Sequence, residues 1–149
     1  MMLRWLIASL HLLALPLGLG AVWARHRALR AVLDADGLRR VLFADNLWGL
    51  AALLWIGTGL LRAFGGLEKG ASYYLHDHAF YVKMGLLALV LLLEIWPMST
   101  LIRWRLAMGR GASIDTTPAL ALARNSRIQA GLIVLIVFAA TALARGLFF

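Results

Sequence analysis

Few side chains in this chain can do chemistry, and most of them lie in sequence that offers little water. The stretch YYLHDHAFYVKMG (73–85) sets His76, Asp77, His78 and Lys83 among three tyrosines and a phenylalanine. Elsewhere His11, Asp45, Asn46 and Glu94 interrupt long runs of Leu, Ala, Val and Ile. An imidazole in such a place can ligate haem or a metal, carry a proton, or bond across helices. A carboxyl group there is either a neutral acid bonded to a neighbour or a proton or cation site. Cysteine is absent, which excludes disulfides, a thiol nucleophile and thiolate metal sites.

The i,i+2 spacing of His76 and His78 is not the i,i+3 or i,i+4 spacing of helical metal sites. It fits better with Asp77 capping a helix while Tyr73, Tyr74 and Tyr81 form an aromatic belt at a membrane surface. No metal site is therefore assigned. Phosphate-cradling loops and Ser–His–Asp signatures are equally missing: GTG (57–59) lies inside an apolar run, and GRG (109–111) lacks a preceding strand.

The elements that must position these residues follow from composition. The 149 residues are 62% hydrophobic, with a mean hydropathy of +0.82. A soluble domain of this length has too little interior to hide them. The solvent is lipid, and backbone groups in lipid must bond internally, so the apolar runs read as helices. Four runs stand out, at about 3–23, 41–61, 80–102 and 128–143. Three reach the roughly 20 residues needed to span. The fourth is completed by TTPALALARNSRIQAG (116–131), with Thr117 as cap and Pro118 at the first helical position. Arginines follow the first run at once (RHRALR, 25–30), which opposes its cleavage as a signal peptide. Pro16 and Pro97 fall within helices, and Pro97 deprives the Leu93 carbonyl of its usual donor. The reading is an all-α, integral membrane four-helix bundle forming one domain.

Charge sets the orientation. Arg25, Arg27, Arg30, Arg39 and Arg40 follow the first run; Arg103, Arg105, Arg110, Arg124 and Arg127 follow the third. These ten of fifteen basic residues place both connections in the cytoplasm of a bacterial inner membrane, with both termini on the outer, periplasmic side. The net charge of +8 then faces anionic lipid, and no nucleic-acid partner is expected. His11, Arg62, His76, His78 and Lys83 converge toward the outer leaflet, while Asp45, Asn46 and Glu94 lie deeper. Lys83, Leu87, Val90, Glu94 and Leu101 share one helical stripe facing into the bundle. No basic residue of its own helix lies level with Glu94, so it is expected to be a neutral acid bonded to backbone or to Asn46, or else a proton or cation site. Asp45 caps the second helix or pairs with a loop arginine. Asn46, Gly49, Leu53 and Gly57 form a small-residue stripe allowing close helix approach.

The segments LHLLALPLGLGAVWARHRALR (10–30) and HDHAFYVKMGLLALVLLLEIWPMSTLIRWR (76–105) resemble an uncharacterised bacterial membrane family over essentially the whole chain. That family is distantly similar to HemJ-type protoporphyrinogen oxidases and CopD copper-resistance proteins. The resemblance matches His11, Arg25 and Lys83 to a first-helix histidine, an arginine at its inner end and a lysine opening the third helix. It implies haem b as cofactor with His11 as axial ligand, Lys83 near a propionate or substrate carboxylate, and Arg25 and Lys83 as catalytic residues. Phe80 and Tyr81 stand where HemJ-type proteins carry a tryptophan and a histidine, and Glu94 and Pro97 replace a tyrosine–histidine pair. Three functions are thus open: a haem-associated redox protein, a proton or metal-cation carrier using Glu94, Asn46 and Asp45, and a non-catalytic component assembling as a homo-oligomer.

Overall fold

The computed structural model describes residues 1–65, 76 and 78–146. They form four helices: α1 (Met2–Arg30), α2 (Ala35–Phe64), α3 (His78–Gly109) and α4 (Ala119–Ala144). No strand occurs among the described residues, and all four helices are long and apolar enough to cross a membrane. Backbones approach most closely between α1 and α2, α1 and α4, and α3 and α4. Large apolar side chains such as Phe43, Leu53, Leu92 and Phe138 point outward. On a soluble protein they would be a liability; in lipid they are solvated.

The helices run past the apolar stretches that announced them. At 26 to 32 residues and about 1.5 Å per residue, each exceeds the roughly 30 Å hydrocarbon core. The arginines expected in loops are therefore mostly helical, and the connections shrink to residues 31–34 and 110–118. Charged residues end a hydrophobic run without ending a helix, because arginine is a good helix former.

Asp34 starts α2: its side chain accepts the Gly37 backbone N–H at 2.7 Å. Gly37 is required here, because a Cβ would lie 2.1 Å from the Val32 carbonyl oxygen. Gly37→Ala is expected to lower stability by about 1–3 kcal/mol through this overlap, read as a fall in melting temperature in detergent. At the end of α3, Gly111 adopts φ 67° and the Ala112 N–H reaches back to the Ala107 carbonyl at 2.9 Å. The GRG triplet is thus a helix stop. Thr117 is not the cap of α4. Its hydroxyl and N–H both donate to Asp115, and Pro118 flanks the helix start without a side-chain cap bond.

Pro97 lies inside α3, and the Leu93 carbonyl has found another donor: Asn125 Nδ2 on α4, at 2.9 Å. Three apolar clusters stack along the bundle. One, around Leu29, Val41, Leu101 and Leu122, lies at the end with the short connections. One, around Ala14, Trp48, Trp55, Val90 and Ile133, fills the middle. A small one, with Ala63, Phe80 and Leu143, lies at the end of the chain termini. Trp48, Trp55 and Trp104 belong to this core, whereas Trp5, Trp23 and Trp96 are exposed.

Candidate functional site

Two polar centres lie between these apolar layers. The first surrounds Arg25, which is within α1 and fully enclosed by the bundle. Its Nε donates to Ser126 Oγ at 3.0 Å. One terminal nitrogen donates to Asp45 and to Glu94 Oε1, both at 2.8 Å. The other donates to Glu94 Oε2 at 3.0 Å and to Gln129 Oε1 at 2.6 Å. These contacts match the five N–H donors of a guanidinium. Glu94 Oε2 also accepts from Trp48 Nε1 at 3.0 Å and Gln129 Nε2 at 2.8 Å. Asp45 gives its second oxygen to Arg105 at 2.9 Å. Two cations and two carboxylates balance, and every helix contributes.

This clamp corrects two expectations. Glu94 does not sit as a neutral acid without a base. Both oxygens face donors, two of them a bidentate arginine, which is the geometry of a carboxylate. The basic partner came from α1 rather than from its own helix. Asn46 does not bond Glu94 either. It is exposed and accepts from Arg105 at 2.7 Å. Asp45 does pair with arginines, and it is no cap, since α2 starts eleven residues earlier at Asp34. Gly49 and Gly57 are exposed with open space around them, so these two glycines bring no described helix of this chain close.

The second centre is a cavity of about 480 Å³ at the termini end of the bundle. His11, Trp55, Gly59, Arg62, Phe80 and Lys83 are among its walls, with apolar residues of α4 completing it. His11 and Lys83, on different helices, thus face one space. The stripe through Lys83, Leu87, Val90, Glu94 and Leu101 does point inward. Lys83 does not escape to the membrane surface; its Nζ lies 5.3 Å from the centre of the Trp55 ring. His76, His78 and Tyr81 are exposed and do not line the cavity. Tyr73, Tyr74 and Asp77 lie outside the described residues. No cluster of three metal-binding side chains occurs among the described residues.

His11 is held in a defined state. Its Nδ1 lies 3.1 Å from the Trp55 carbonyl and 2.9 Å from Thr58 Oγ1. The Thr58 hydroxyl donates to the Leu54 carbonyl at 2.6 Å, leaving its oxygen to accept. Both partners of Nδ1 are thus acceptors, so the proton is on Nδ1. Nε2 is left with its lone pair and no hydrogen bond from a described residue. The ring stacks on Trp55, 5.5 Å between centroids and 13° from parallel. Gly59 makes room for it: a Cβ there would come within 3.1 Å of His11 Cε1.

The family model for predicted membrane proteins designated DUF2214 matches residues 3–147. The chain belongs to the DUF2214 family. Both centres fall within the matched region. No curated protein and no solved structure matches the chain. Trp55, Ser126 and Gln129 were not singled out in the sequence, whereas Arg62 was, beside His11 and Lys83. Ser126 and Gln129 had a legible signal, being polar residues three apart in an apolar helix.

Proposed function

We propose that this DUF2214 protein is a haem-associated protein of the bacterial inner membrane, with the cavity as its binding site and His11 as the residue that would hold the iron. The observation that carries the reading is the state of His11. A metal-ligating histidine commonly donates its other N–H to a backbone carbonyl, and the Trp55 carbonyl takes that role, leaving Nε2 for the iron. The cavity's size lies within the range of small-molecule sites. Its walls are largely apolar, and Lys83 offers a cation to a carboxylate such as a propionate. The donor set thus fits haem b, which would supply one-electron redox chemistry when bound.

The arginine-rich connections point to the cytoplasm by the positive-inside rule, which puts the cavity in the outer half of the membrane. Arg25 does not reach the cavity, so its part is to position the helices that carry His11 and Lys83. A Glu94-based carrier is less well supported, since every oxygen of that carboxylate is already engaged.

Protein purified from haem-replete cells is expected to show a Soret band that disappears in His11→Ala and weakens in Lys83→Ala. A colourless wild-type protein from such cells would remove the haem reading.

A further inference from the structure

The space between the two polar centres is as informative as the centres. It contains a void of about 30 Å³, walled by apolar side chains of all four helices, including Ala51, Trp48, Trp55, Val90 and Ile133. A buried water needs two to four polar partners. Here the Trp48 N–H is committed to Glu94, and the Trp55 N–H, buried without an acceptor, is a single donor. The layer is therefore dry. Trp48 and Trp55 are seven residues apart, so it is about 10 Å thick along α2. Beyond it the Arg25 clamp ties the four helices together, and beyond the clamp lies the tightly packed cluster around Leu101 and Leu122.

At the other end the walls open. Leu12, Leu60 and Phe64 line the cavity and are also more than half exposed on the lipid-facing surface. The cavity thus meets the membrane phase at the termini end and a dry partition at the other.

We infer that this cavity exchanges its ligand with one half of the membrane only, taking a lipid-soluble molecule with an acidic head, and that nothing passes through the bundle to the opposite face. The inference uses the cavity of the preceding section but holds whichever ligand fills it. It separates a receptor or enzyme, which works on its ligand in place, from a carrier, which must expose its site alternately to both sides.

The natural chain has no cysteine, so single cysteines report without background. Ala140→Cys places a thiol on the cavity wall; Ala51→Cys places one in the dry layer, with Ala52→Cys as a second position should the first misfold. The probe is a sulfonated maleimide, which does not cross bilayers, applied to right-side-out and inside-out vesicles. Ala140→Cys is expected to react with the lipid-soluble N-ethylmaleimide, and with the sulfonated probe from no face but that of the termini. Ala51→Cys and Ala52→Cys are expected to stay unmodified from both faces and to react fully after denaturation in detergent. Modification of the dry-layer cysteines in intact vesicles overturns the inference. So does modification of Ala140→Cys by the sulfonated probe from the face of the short connections, or its failure to react with N-ethylmaleimide in intact vesicles. A colourless protein with the expected labelling removes the haem reading alone; haem-loaded protein with labelled Ala51→Cys removes only this one.

Discussion

Arg25→Leu and Glu94→Leu are each expected to destabilise the bundle by about 3–5 kcal/mol, because each strands a buried charge. Removing Arg25 leaves Glu94 without a cation and Asp45 with Arg105 alone. Removing Glu94 leaves Arg25 sharing Asp45 with Arg105, an excess of positive charge in the interior. The double variant Arg25→Leu/Glu94→Leu removes one charge of each sign and leaves Asp45 paired with Arg105. It is expected to be more stable than either single variant, with a coupling energy of about 2 kcal/mol or more. Thermal unfolding in detergent micelles, followed by light scattering, measures all four proteins. Additive losses would mean that the pair acts as two separate packing contacts and not as one clamp.

Asn125→Leu is expected to cost about 1–3 kcal/mol for a different reason. Pro97 has no N–H to give the Leu93 carbonyl, and Asn125 Nδ2 is the donor that replaces it. Without it the carbonyl is unsatisfied beside an apolar interior. Pro97→Ala restores a backbone N–H at the right position, so in that background Asn125→Leu should cost little. Equal costs in both backgrounds would show that Asn125 stabilises by packing alone. The same variants can be compared by amide exchange along α3, where the protected segment should shorten around Leu93 in Asn125→Leu alone.

The bundle itself was legible because apolar run length and the backbone's need for internal bonds leave few alternatives in lipid. The inward stripe of α3 was legible from its 3.6-residue period, and the free Leu93 carbonyl from Pro97 alone. What filled that vacancy was not. Asn125 lies thirty-two residues away, and no local rule links it to Leu93. The Glu94–Arg25 pair failed for a related reason. Arg25 stands in an arginine-rich segment that looked like a loop, and only the continuation of α1 to Arg30 turns it into the core. That His11, Arg62 and Lys83 lie toward one leaflet was legible from their depth; that they share a cavity depends on how α1, α2 and α3 are rotated, which periodicity leaves open. Trp55 looked like an ordinary tryptophan.

Arg25 also sets a timetable. It leaves the ribosome ahead of all its partners: Asp45 follows by 20 residues, Glu94 by 69, Ser126 by 101 and Gln129 by 104. At about 5–20 residues per second, the guanidinium waits about 5–20 s for its last acceptor. During that interval α1 carries an incompletely matched cation, and the first two helices can shelter it only through Asp45. The finished clamp therefore belongs to the final stage of biogenesis, when α4 has been delivered. A chain truncated before Ser126 holds its first helix through Asp45 and Glu94 alone, with the Arg25 bonds to Ser126 and Gln129 unmade.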